Sequence, residues 1–218
     1  MSFFILLIFF AFSCATSQEY QNNDNIAKEL NIVESYNAGL LALSLQDYKR
    51  AISLLNKCLK NNYNPDFTNL YIGIAYLKIK QFEKAEHHLK RALELNPELT
   101  EAHNSLGAVY AQQKKYNLAL KEFFKVLEDR SYLFPENALY NIALIYYNTG
   151  DYLKSIDYCN KTLVIVPKSP MVYYLIALNY FKLGKKELTK RYLNEIIKNF
   201  KNSTWRPLAE KFLKENKL

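Results

Sequence analysis

The side chains able to act chemically are few: His87, His88 and His103, and Cys14, Cys58 and Cys159. His87 and His88 are neighbours on one predicted helix, so they do not share a face as an i,i+4 ligand pair would. His103 stands alone, in a slot that suits a large packing ring. The sequence has no Gly-x-Ser-x-Gly elbow, Walker motif, His-Glu-x-x-His zinc helix or Cys-x-x-Cys pair. It therefore offers no activated nucleophile, phosphate cradle or metal centre. Five glycines in 218 residues also leave little material for a Gly-rich phosphate loop. We expect no catalytic residue, metal or cofactor, and no small-molecule substrate; the chain does not read as an enzyme. Cys58 and Cys159 fall in core-facing slots of predicted helices far apart in sequence, and read as small buried residues. Three cysteines also exclude a disulfide scaffold.

Cys14 is different. It follows Phe3 to Phe12, ten apolar residues without a charge. That run is too short to span a bilayer, which takes roughly 20 residues, and it fits the apolar region of an export signal. The following Ala11-Phe12-Ser13-Cys14 resembles the lipobox of bacterial lipoproteins. The resemblance implies that the Cys14 thiol takes a diacylglycerol and that residues 1–13 are removed. The alternatives are a secretory peptide without lipid, or an uncleaved apolar tail, with Cys14 incidental. Ala15 after the cysteine, by likeness to sorted lipoproteins, favours the periplasmic face of the outer membrane. Residues 14–31, polar through TSQEYQNNDN, read as the lipidated cysteine and a flexible tether.

The remaining chain is organised by a repeat. Gly39, Gly73 and Gly107 stand 34 residues apart, as do Gly150 and Gly184 in a second slot between helices. Small residues recur at Ala51, Ala85, Ala119, Ser155 and Thr189, and prolines mark the junctions at Pro65, Pro97, Pro135, Pro167 and Pro170. The series Ile72-Gly73, Tyr76, Phe82, Ala85, Pro97 resembles the tetratricopeptide repeat. The resemblance implies an all-α fold: a right-handed superhelix of five antiparallel helix pairs at 32–65, 66–99, 100–135, 136–169 and 170–203. Residues 204–218 follow as a capping helix, with Thr204 as its N-cap.

In such an array the first helix of each pair lines a concave groove. The groove slots of the first two repeats hold Val33, Tyr36, Leu40 and Leu43, then Phe67, Leu70, Ile74 and Leu77. Repeat three supplies small or polar residues: Glu101, Asn104, Ala108 and Ala111. A second patch comprises Tyr140, Leu144 and Tyr147 with Met171, Tyr174, Leu178 and Phe181. An apolar, aromatic groove suits a hydrophobic segment of a protein partner; the alternative for each residue is inter-helix core. Charge is uneven, since 182–218 hold eleven basic and four acidic residues, +7 of the chain's +8. That end reads either as a contact for acidic lipid or protein, or as a solvated face. Without aromatic-interleaved basic motifs, and with an export signal, nucleic acid is not an expected partner.

The third junction, from Leu127 to Ala138, is two residues longer than the others. With Asp129, Tyr132, Pro135, Glu136, Asn141, Ala143 and Gly150, it resembles the pilotin group of type IV pilus biogenesis and stability lipoproteins. That resemblance implies a non-catalytic, lipid-anchored accessory of the outer membrane that helps the pilus secretin reach the membrane and assemble, using the concave groove. The alternative is a general cell-envelope scaffold for peptidoglycan or outer-membrane assembly factors, unrelated to pili.

Overall fold

A computed structural model describes residues 28–218. The predicted signal peptide and Cys14 lie outside the described residues. Among these residues all regular structure is helical, with eleven helices and no strand. The described part of α1 covers 28–44. It is followed by α2 (Tyr48–Lys60), α3 (Pro65–Lys78), α4 (Phe82–Leu95), α5 (Thr100–Gln112) and α6 (Tyr116–Glu128). Then come α7 (Pro135–Thr149), α8 (Tyr152–Ile165), α9 (Pro170–Lys182), α10 (Lys186–Asn199) and α11 (Trp205–Glu215). Residues 28–31, expected to belong to a flexible tether, are helical, and the rest of that expected tether lies outside the described residues. Lys28, Glu29 and Leu30 are all strong helix formers. No described helix is long and apolar enough to cross a membrane.

The boundaries follow local chemistry. Pro65, Pro135 and Pro170 occupy first-turn positions, where the missing N–H has no helical partner to lose. Asp47 and Asp151 cap α2 and α8, each accepting a hydrogen bond from a first-turn backbone N–H, Arg50 or Lys154, at 3.2 Å. Gly150 turns between α7 and α8 at φ +86°, a left-handed conformation that suits glycine. Gln46, Lys80 and Lys114 take the same left-handed sense in the corresponding turns, at φ of 62°, 59° and 58°. At the start of α11, Ser203 Oγ rather than Thr204 accepts from Trp205 N–H, at 3.2 Å. Thr204 holds the N-cap position as expected, but with helical backbone angles and no side-chain cap bond.

The chain forms two compact units, divided after Pro97. In the first, α3 packs on both α2 and α4. Its core is built from Leu55, Leu70, Ile72 and Leu89, all fully buried, with Ala51, Ala75 and Ala85 between them. In the second, successive helices from α5 to α11 pack pairwise, around Phe123, Ile142, Ile176, Leu193 and Ile196. Each such side chain contributes about 1.5–3 kcal/mol on burial. The close approach within a pair depends on the repeated small slot. A methyl group at Gly73 would lie 2.6 Å from Leu89 Cγ, inside contact distance. In the fourth pair the slot is Ala143, and its partner shrinks to Cys159, both fully buried.

Candidate functional site

The first groove patch belongs to α1 and α3. Val33, Tyr36, Leu40, Leu43, Ile74 and Leu77 are half-buried, and Phe67 is 38% exposed. Leu70 departs from expectation: it is fully buried and belongs to the core, not to the groove lining. Its neighbour Tyr71 takes the half-exposed position instead. The Tyr71 ring lies 6.3 Å from Tyr36 and 6.4 Å from Phe67, and Tyr63 stands edge-on to Tyr36 at 5.3 Å. Burial, followed by the neighbouring phenols Tyr71 and Tyr63, pushes the Tyr36 hydroxyl up to about 12, so it stays neutral at any physiological pH. The result is a half-buried aromatic cluster with little charge, with Phe67 its most exposed member. Tyr63 and Tyr71 were missed from sequence; an aromatic one residue beyond a groove slot was the available signal for Tyr71.

The second patch carries the same residue types and is likewise half-buried. Tyr140, Leu144 and Tyr147 pack against the buried cluster of Ala143, Cys159, Val172, Leu175 and Ile176. Burial raises the Tyr140 hydroxyl to about 12. Tyr174 and Phe181 are half-buried and take aromatic neighbours from α11. Trp205 lies 5.4 Å and Phe212 6.2 Å from Tyr174, and Phe212 meets Phe181 edge-on at 5.0 Å. Met171 and Leu178 remain half-buried.

In repeat three, small Ala108 and Ala111 open a cavity of about 330 Å3 against α7, bordered by Gln112, Asn141, Leu144 and Asn148. Behind that face, His103 is more than the packing ring expected, because its Nδ1 lies 2.6 Å from Glu122 Oε2. Burial raises the Glu122 carboxyl, but the His103 hydrogen bond and Lys125 outweigh it, and the net shift is downward. The corresponding contact in repeat two is His88 Nδ1 to Asn69 Oδ1, at 2.9 Å. Burial, then the adjacent His87, lowers the His88 imidazole to about 4. Cys58 and Cys159 are buried and free. Among the described residues no three His, Cys, Asp or Glu side chains gather as a metal site. The geometry offers apolar contact area and no assembled reactive centre.

Models of the tetratricopeptide repeat match residues 35–65, 70–99, 136–163 and 171–203, more than half of the chain. The chain belongs to the tetratricopeptide-repeat proteins. Superkiller protein 3 of Schizosaccharomyces pombe is 30% identical over 161 residues, 73% of this chain but 10% of that protein. A TPR repeat-containing protein of Methanocaldococcus jannaschii is 26% identical over 190 residues, 82% of this chain and 32% of the other. The chain thus spans a tenth to a third of the length of these curated relatives. Among solved structures, PilW, described as a widely conserved type IV pilus biogenesis factor, superposes with a TM-score of 0.69 at 19% identity. That match covers 85% of this chain and 93% of PilW. MamA superposes with a TM-score of 0.65 at 22% identity, over 86% of this chain and 96% of its own. At these identities the likeness is one of fold. Tetratricopeptide repeats are protein-interaction scaffolds, and the partly exposed aromatic patch of α1 and α3 is consistent with that role.

Proposed function

We propose that this tetratricopeptide-repeat protein is a lipid-anchored accessory at the periplasmic face of the outer membrane. There it assists assembly of the type IV pilus secretin. The observation that carries the reading is the partly exposed apolar and aromatic patch of Tyr36, Leu40, Phe67 and Ile74. Tyr36, Leu40 and Ile74 are half-buried, and Phe67 is the most open of the four at 38%. An exposed apolar segment of a secretin subunit would bury its side chains there until subunits pair. The lipid on Cys14 would raise the effective concentration of the two proteins at one membrane without any new contact. The residues of the third junction and the fold shared with PilW support the pilus assignment.

The test is a deletion strain probed for heat- and detergent-resistant secretin rings, complemented by the wild type, Cys14→Ala and Phe67→Asp. Rings should vanish on deletion, return with the wild type, and return weakly with either variant. Unchanged ring abundance on deletion would reject the pilus role and leave the general envelope scaffold. Partners would then be sought by crosslinking at Leu40 and Ile74.

A further inference from the structure

The loop between α6 and α7 builds a second feature, separate from the aromatic patch. Asp129 locks it from both carboxylate oxygens. One accepts from the Ser131 backbone N–H at 2.9 Å and from the Ser131 hydroxyl at 2.6 Å, and the other from the Thr100 hydroxyl at 2.5 Å. Tyr132 meets Phe134 edge-on at 6.2 Å. Leu133 and Phe134, by contrast, are left 80% and 54% exposed. Two adjacent large apolar residues thus stand exposed directly after a hydrogen-bonded turn, where a partner can cover them.

Between this loop and the start of α5 is an open cavity of about 320 Å3. Leu99, Tyr132, Leu133 and Phe134 give it apolar and aromatic walls, and Glu101 and Asp129 give it negative charge; no basic side chain lines it. The Asp129 oxygens are occupied within the loop. Glu101 makes no ion pair with any described residue, and burial raises its carboxyl above the usual range. Glu136 adds a second carboxylate within electrostatic reach of Tyr132.

We propose that this cavity seats a lysine or arginine side chain, flanked by an apolar residue, from an extended segment of a partner protein. The cation meets Glu101 in a charge-assisted hydrogen bond and lies against the rings of Tyr132 and Phe134. The flanking apolar residue covers Leu133. The carboxylates repel the head groups of anionic lipid, which leaves a protein segment as the occupant. This contact is independent of the α1–α3 patch and of the pilus assignment.

The experiment probes an array of short random-sequence peptides with the full chain, comparing the wild type with Glu101→Gln, Phe134→Ser and Phe67→Asp. The wild type should retain peptides enriched in Lys or Arg beside Leu, Ile or Phe. Glu101→Gln, close in shape, should lower retention of that class about tenfold, equivalent to about 1.4 kcal/mol. Phe134→Ser should lower it as well, while Phe67→Asp leaves it unchanged. Circular dichroism of each variant confirms an intact fold. No basic enrichment, or enrichment that Glu101→Gln leaves intact, would overturn the proposal. Equal retention of basic peptides with no apolar neighbour would overturn it too.

Discussion

The α1–α3 patch and the α7–α9 patch use the same groove slots and nearly the same side chains, and both stay half-buried, but different rings brace them. Tyr36 and Tyr174 occupy equivalent positions in the first and fifth repeats. Tyr36 is flanked by Tyr63 and Tyr71, with Phe67 38% exposed nearby. Tyr174 lies under Trp205 and Phe212 of α11. In each repeat the next helix along supplies the rings that pack on the slot, Tyr71 of α3 for Tyr36 and Trp205 and Phe212 of α11 for Tyr174. The helix that follows a slot decides which side chains brace it.

That contrast can be tested through stability, starting with its largest consequence. Phe212→Ala removes the ring that bridges Tyr174 and Phe181, and should cost about 2–4 kcal/mol. Phe67→Ala, in the first patch, should cost less than about 1 kcal/mol, as expected for a substitution that deletes little buried contact. Urea unfolding followed by circular dichroism measures both; equal costs would mean that α11 braces its patch no more firmly than α3 braces the first. The next effect concerns the floor of the first patch. Gly73→Ala places a methyl group 2.6 Å from Leu89 Cγ and should cost about 1–3 kcal/mol through overpacking. Adding Leu89→Ala should recover part of that loss, because the two sites share one contact. A purely additive double variant would argue against the close approach.

The smallest effect separates the units by pH. His88 is held at about 4 against an ordinary 6.5, by burial and then by His87. The folded chain therefore favours the neutral ring, and the unfolded chain binds the extra proton between those values. Stability in the first unit should fall as pH drops from about 6.5 to 4. His88→Gln should flatten that part of the profile. The equivalent contact in the fifth repeat is the Tyr173–Tyr192 ring pair, at 6.0 Å. That pair holds no imidazole, so the histidine-linked loss has no counterpart there.

Much of this was legible in the sequence, for reasons the packing makes plain. The Gly39, Gly73 and Gly107 series marks where helices come too close for a side chain, and each faces a large residue, Leu55, Leu89 or Phe123. A constraint that recurs every 34 residues leaves a periodic signature. Leu70 shows the limit: its slot is set in sequence, but which side of the helix is buried depends on the neighbouring helices. The His103–Glu122 contact also escaped, because it joins residues 19 apart across a helix turn and Glu122 alone looks like any surface acid. The junction lock at Asp129 was seen only as a resemblance; its hydrogen bonds to Thr100 and Ser131 needed three dimensions.

The position of α11 also bears on how such an array can lengthen. Trp205 and Phe212 already occupy the face of α9 on which the first helix of a sixth pair would have to land. A helix pair added after α11 would meet a surface with that face spent, whereas one duplicated between α8 and α9 would find its slots ready. Growth by duplication is thus directed to the interior of the array, and a chimera with extra repeats should be spliced between Val166 and Pro170.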